Sequence, residues 1–285
     1  MKLQSLLLFI LSVTIPFSAL AETHKCTEVQ GQKSYTVQFR KPSLFGDVIV
    51  VDSGSMRHLR FGNVCGSDQS SIDLSAPDQV VMEYVRNASL SLSYAEHHQK
   101  VLVVGMGGGV FSNLLARHVP DIEIDAIEID PVVVDAAKAF FNVKATEHYR
   151  IHIKDAADYI SQTKVRYDII FLDAYGSDGI PQHLATKPFF HQVANLLNPG
   201  GVIVANFGLD SPRVYLQLAK RLHETLGATQ CIHGKEESNL VVIAAAPTTI
   251  KNINPVAQAT ELDSTLSLPF SLVDIAMQVK ECPQI

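Results

Sequence analysis

The sequence predicts an α/β fold: a parallel-rich sheet flanked by helices, preceded by a small antiparallel β unit. Three observations lead there. From Val101 onward, short apolar runs alternate with amphipathic stretches, the pattern of repeated strand–helix units. The first run stops at a tight glycine turn, Gly105-Met106-Gly107-Gly108-Gly109. Residues 34–64 instead alternate with period two between turn residues, as half-buried strands do.

Taken in order, the chain opens with Lys2, an apolar stretch over 6–17 and the small-x-small site Ala19-Leu20-Ala21. Residues 1–21 therefore read as a signal peptide cut after Ala21, and the mature chain as exported, periplasmic or secreted. Ser12, Thr14 and Pro16 interrupt the run, which is short for a membrane span; an uncleaved anchor is the alternative. A β unit is expected over 22–75, with strands near 35–39, 47–51 and 57–61 and turns at Gly46, 52–55 and Gly62. Pro77 is expected to open a helix in which Val80, Val81, Tyr84, Val85 and Ala88 share a face.

The main domain, 76–250, is expected to place strands at 101–104, 123–128, 150–153, 168–172, 201–206 and 239–245. Helices are expected near 110–118, 132–140, 155–162, 186–197 and 211–225. Residues 251–285 read as a covering tail without chemistry. Four cysteines, Cys26, Cys65, Cys231 and Cys282, allow three pairings. Proximity along the chain favours Cys26–Cys65 and Cys231–Cys282, with unpaired buried thiols as the alternative. The chain is 47% hydrophobic and 18% charged, enough apolar character for a sizeable core. Its formal net charge of −6 leaves no basic footprint for nucleic acid. No Cys/His cluster points to a metal, and no P-loop lysine or Gly-x-Ser-x-Gly elbow to an NTPase or hydrolase. His97-His98 reads as a solvated turn.

In a parallel-rich sheet, ligands bind beyond the carboxyl ends of the strands. The glycine turn lies there, and Glu128 ends the second strand 23 residues beyond Gly105. Glycines let backbone N–H groups approach a ligand, and the acid suits two ribose hydroxyls. Gly105, Gly107 and Gly109 form GxGxG, and Val110 stands where a dinucleotide fingerprint wants its third glycine. An S-adenosyl-type ligand is thus favoured over NAD or FAD, and the fold becomes a Rossmann-like one of the S-adenosylmethionine-dependent methyltransferase kind. Asp155, Asp173 and Asp178 also follow strands. Asp155 has a second reading as a helix N-cap, and Asp130 before Pro131 is expected to be a cap as well. His183, in the loop expected to cover the site, has substrate contact and helix capping as its two readings.

The ordered motifs resemble the spermidine synthase family of aminopropyltransferases, in particular its divergent spermidine synthase-like branch. The resemblance runs from about Tyr35 to Ala246. It rests on Val48-Ile49-Val50-Val51-Asp52, Cys65-Gly66-Ser67-Asp68-Gln69-Ser70-Ser71, Glu83-Tyr84, the glycine turn, Ala126-Ile127-Glu128-Ile129-Asp130 and Asp155-Ala156. It continues through Tyr167-Asp168-Ile169-Ile170-Phe171-Leu172-Asp173, Gly179-Ile180-Pro181, His183-Leu184 and Leu197-Asn198-Pro199-Gly200-Gly201. It implies decarboxylated S-adenosylmethionine as co-substrate, with no prosthetic group and no metal. Gln69 and the glycine turn would contact that donor, Glu128 its ribose and Asp155 its adenine. Asp173 would take a proton from the attacking amine, a small-molecule acceptor lined by Tyr84. A homodimer is compatible with it.

Two positions depart from the family pattern. Gly108 stands where the family carries an acid that grips the donor's amine, as in GGGDGG. Gly176 stands where a D-x-x-D-P loop has its second Asp, and Asp178 is the nearest substitute. Each lost charge-assisted hydrogen bond costs roughly 1.5–3 kcal/mol. The alternatives to aminopropyl transfer are a methyltransferase using S-adenosylmethionine and a non-catalytic exported protein binding polyamines or nucleosides.

Overall fold

The computed structural model describes residues 22–28, 31–174, 179–208, 212–234 and 239–282. The expected signal peptide, Gly176 and Asp178 lie outside them. Five strands, β1 (Thr23–Glu28), β2 (Gly31–Ser43), β3 (Gly46–Ser53), β4 (Met56–Phe61) and β5 (Asp68–Asp73), form an antiparallel sheet in sequence order. Tight connections at 44–45 and 54–55 keep neighbours in sequence neighbours in space. The outer strands β1 and β5 are polar (THKCTE and DQSSID) and were not expected from apolar alternation. Backbone pairing to β2 and β4 holds them.

The segment after Pro77 corrects the expectation of a helix opening there. Residues 80–82 are non-helical, Met82 is extended, and α1 spans only Glu83–Ser89. Arg86 donates to the carbonyls of Val80 and Val81 at 2.6 and 3.1 Å, satisfying outside a helix groups that a helix would have bonded internally. A 3₁₀ turn at Leu90–Ser93 follows.

The alternating region matches its expected elements within a few residues. They are β6 (Lys100–Val104), α2 (Val110–His118), β7 (Glu123–Glu128), α3 (Pro131–Phe140), β8 (Tyr149–Ile153), α4 (Ala156–Gln162), β9 (Tyr167–Leu172), α5 (Lys187–Asn195), β10 (Leu197–Gly208) and α6 (Pro212–Leu226). Next come β11 (Ala228–His233), unpredicted, and β12 (Asn239–Ala245). The tail adds α7 (Pro247–Asn252), α8 (Pro255–Thr265), α9 (Leu272–Ala276) and the two-residue β13 (Lys280–Glu281).

The second sheet has the order β13-β11-β12-β10-β9-β6-β7-β8. Strands β10, β9, β6, β7 and β8 run parallel, and the β12 side is antiparallel. From β6 the chain moves outward to β7 and β8, then returns to β9 on the other side. That reversal puts a topological switch point between β6 and β9.

Both faces of this sheet are covered. Val101, Val103, Ile169 and Phe171 point into one core with α1, α2 and the tail, while Leu102, Val104, Ile170 and Leu172 point into another with α4, α5 and α6. Such strands read as continuous apolar runs because each face is buried. The smaller sheet docks Val48, Val50 and Leu59 on Val132, Val133 and Ala136 of α3. Ala259, Leu266, Leu272 and Ile275 of the tail join the main core.

The disulfides are Cys26–Cys65 and Cys231–Cys282, with Cα–Cα distances of 5.5 and 4.9 Å. The first ties β1 to the loop leading into β5; the second ties the end of the tail to Cys231, a buried residue of β11. The Cys231→Ala, Cys282→Ala double variant is expected to lose about 2–5 kcal/mol in urea unfolding. An unchanged midpoint would show that the tail is held by packing alone.

Candidate active site

A cavity of about 630 Å³ opens at the switch point. Gln69, Tyr84, Gly105, Gly107, Glu128, Asp155 and Asp173, seven of the residues singled out in the sequence, line it together. Gly109 does not. Its φ of 71° begins α2, and a Cβ there would lie 2.5 Å from Val143 Cγ2, so its role is to let the turn enter the helix.

The seam between β6 and β9 is tight. Asp173 N donates to the Val104 carbonyl across it at 2.8 Å, and on the other side of β6 Gly105 N donates to the Ile127 carbonyl of β7 at 3.0 Å. Gly105 has φ 87°, and a Cβ on it would collide with the Asp173 carbonyl and stand 2.7 Å from Ala174 Cα. Only glycine joins these strand ends.

Asp173 is oriented by two residues that strand-end reasoning did not single out. Asn206, buried at the end of β10, donates Nδ2 to Asp173 Oδ1 at 2.9 Å; Asn239, at the start of antiparallel β12, donates to Asn206 Oδ1 at 2.8 Å. The second bond sets which end of the Asn206 amide faces Asp173, and the amide nitrogen can only donate. Asp173 therefore presents an accepting oxygen to it. Asn206 was legible by the rule that found Asp173, since it too lies at a strand's carboxyl end. As a neutral amide it adds no charge to set it apart from the apolar run before it.

Both oxygens of Glu128 accept backbone hydrogens, Oε2 from Gly107 N at 3.2 Å and Oε1 from Asp130 N at 3.1 Å. Burial pushes this carboxyl above its ordinary range, opposed by those N–H donors. The acid is thus locked in place at the turn. Glu128→Gln is expected to weaken calorimetric binding of an adenosine-containing ligand about tenfold or more; unchanged affinity would remove Glu128 from the site.

Asp155 lines the cavity and also N-caps α4, accepting from Ala157 N at 2.8 Å, while Oδ2 meets His183 Nε2 at 3.0 Å. His183, in a 3₁₀ turn at Gln182–Ala185, thereby latches the covering segment to the cavity rim. Asp130 caps α3 through Val132 N at 2.8 Å. Asp178 lies outside the described residues.

Among the described residues, Asp68, Glu128, Asp130, Asp155 and Asp173 line the cavity against one lysine, Lys154, whose Nζ donates to Gln162 at 2.6 Å. Such a wall favours a cationic ligand. Among the described residues no group of three His, Cys, Asp or Glu side chains could hold a metal ion.

The glycine turn itself is filled from the other sheet. Ser70 Oγ accepts from Gly108 N at 2.8 Å, and a Cβ on Gly108 would lie 2.7 Å from Ser70 Cβ and 3.1 Å from Phe141 Cδ1. A side chain at position 108 would force Ser70 and Phe141 to shift.

Fold and site together define a Rossmann-like protein with an acid-lined cavity at the switch point of its sheet. Residues 81–252 match the spermine/spermidine synthase domain, and the chain belongs to that family. It is 28% identical to a polyamine aminopropyltransferase of Vibrio vulnificus over 242 residues, covering 83% of this chain and 81% of the relative. It is 34% identical to a spermidine synthase of Coffea arabica over 181 residues, 62% of this chain and 55% of that protein. Among solved structures, Thermotoga maritima spermidine synthase superposes with a TM-score of 0.68 at 15% identity, covering 94% and 93% of the two chains. Human methyltransferase-like protein 13, in complex with SAH, superposes at 0.58 with 20% identity, covering 71% of this chain and 96% of that one.

Proposed function

We propose that the protein transfers an aminopropyl group from decarboxylated S-adenosylmethionine to a small-molecule amine, a step of polyamine biosynthesis. The observation that carries this reading is Asp173, fixed by Asn206 at the switch point of an acid-lined cavity in a chain of this family. In the reaction, the amine's lone pair attacks the carbon beside the sulfonium. The C–S bond breaks, and its electron pair stays on sulfur as a neutral thioether. The amine must be unprotonated to attack, and Asp173 is placed to accept its proton. Glu128 and the glycine turn hold the nucleoside so that this carbon faces the amine.

Decarboxylated S-adenosylmethionine is expected to bind calorimetrically more tightly than S-adenosylmethionine and to yield an N-aminopropyl product. Preference for the carboxylated donor, with a methylated product, would replace this reading by methyl transfer. Export after cleavage at Ala21 belongs to the same proposal and is supported by the two disulfides, which suit an oxidising compartment. Cell fractionation that finds the chain only in the cytosol, with reduced thiols, would reject that part.

A further inference from the structure

The two disulfides differ in access. Cys231 is fully buried, and Cys282 is half-buried against the core on the α5–α6 face. Cys26 of β1 is buried as well, but its partner Cys65 is exposed, in the loop 62–67 between β4 and β5. Disulfide exchange needs a path for a thiolate to one of the two sulfurs, and Cys65 stands on the open side of its bond.

What Cys65 anchors is the cavity wall. Ser67, Asp68, Gln69, Ser70 and Ser71 follow it in the chain and all line the cavity, and Ser70 holds the glycine turn through Gly108 N. The loop's own bonds are local: Cys65 N donates to Asn63 Oδ1 at 2.9 Å and Gly66 N to the Asn63 carbonyl at 3.0 Å. Strand alternation sends Val48 and Val50 to α3 and Ile49 and Val51 to the opposite face. Among the described residues, that second face buries one small cluster, Cys26, Tyr35, Ile49, Val51 and Val64. A core of that size depends on a cross-link.

Arg60 joins this cluster to the wall. It is only 4% exposed and lies over the Tyr35 ring at 4.1 Å. Its Nη1 donates to the Val64 carbonyl, and its Nε donates to Asp68 Oδ1 at 2.6 Å. A buried guanidinium that loses one of these partners is left with an unsatisfied donor, so displacement of Val64 is felt at Asp68.

We propose that Cys26–Cys65 is a thiol–disulfide exchange site, at which a dithiol reductant opens the bond and loosens the wall of the nucleoside cavity. A thiolate of the reductant attacks Cys65 Sγ; the S–S bond breaks, and its electron pair goes to Cys26 Sγ, which takes a proton. The reductant's second thiolate then attacks its own sulfur in the mixed disulfide, and Cys65 leaves and is protonated. The dithiol becomes a disulfide, and the protein gains two thiols. Without the tie to β1, Val64 and the loop shift, Arg60 carries the change to Asp68, and Gln69 and Ser70 lose their setting. The effect on ligand rests on the reading that the cavity takes an adenosyl donor.

The test treats the folded mature chain with limiting dithiothreitol, alkylates the free thiols and maps them by mass spectrometry. Cys26 and Cys65 are expected to be labelled about tenfold or more faster than Cys231 and Cys282. Hydrogen–deuterium exchange reads the wall without ligand: segments 63–71 and 105–109 should exchange about tenfold faster once reduced, with 167–172 still protected. Calorimetric affinity for decarboxylated S-adenosylmethionine should fall about threefold to tenfold and return on reoxidation. The Cys26→Ser, Cys65→Ser double variant should match the reduced chain, and the Cys231→Ala, Cys282→Ala variant should keep the response. Disulfides that open together, or a wall that exchanges at one rate in both states, would overturn the inference. So would donor affinity that reduction leaves unchanged. A wall that responds to dithiol in a chain binding no adenosyl ligand would reject the adenosyl reading while leaving the exchange site standing.

Discussion

Asp173→Asn is expected to lower kcat for amine transfer about 10²–10⁴-fold and to leave affinity for the adenosyl donor within about threefold. Asparagine is nearly isosteric and keeps an oxygen for Asn206 Nδ2, now 2.9 Å from the carboxylate, so the local fold has little reason to change. What it loses is the ability to take a proton. In the proposed function the donor is held from Glu128 and the glycine turn, at the ends of β7 and β6, and not by the Asp173 carboxyl. Steady-state kinetics with donor titration separates the two effects. A transfer rate that survives the substitution would mean that the proton leaves by another route, and the assignment of Asp173 would fall.

Gly105→Ala should act on stability and activity at once. The backbone at φ 87° is one that an alanine adopts only under strain, and its methyl would meet the Asp173 carbonyl and Ala174 Cα. Positive φ costs roughly 1–2 kcal/mol and an overpacked methyl roughly 1–3 kcal/mol. A total of about 2–5 kcal/mol corresponds to a Tm lower by roughly 5–15 °C. Because the colliding atoms belong to Asp173 and its neighbour, relief comes by moving the base away from the turn. The residual folded enzyme should therefore lose transfer rate well beyond what its unfolded fraction explains. Gly107→Ala is the matched comparison: its Cβ would meet only Ser70 Oγ, at 3.1 Å. Equal effects from the two would show that turn flexibility, rather than the seam, is what matters.

The residues that carry the fold's order announce themselves because their causes are local. Runs such as 101–104 and 168–172 are apolar on both faces since both faces are covered, and Gly105 and Glu128 mark where those runs stop. What escaped depends on partners distant in sequence. Strand β5 is polar and exists through its pairing with β4, and β11 is recognisable only once β12 lies beside it. The segment after Pro77 has helical spacing, yet Arg86 holds residues 80–81 by their carbonyls outside any helix. In the site, the carboxylates were visible as charges ending apolar strands. Asn206 and Asn239 carry no such contrast, and their importance comes from what they touch.

Ser70 and Gly108 form a lock with two keys. The hydroxyl that accepts the turn's N–H also fills the volume into which a side chain at 108 would grow. A lineage of this branch that gained an acid at 108 by one mutation would meet a steric fault before any benefit. One that first shortened Ser70 to glycine would lose the bond to the turn with nothing in exchange. An acid-bearing turn would need both positions to change together. This pairing, rather than drift at one codon, would keep the glycine in place and leave amine recognition to evolve on other walls of the cavity.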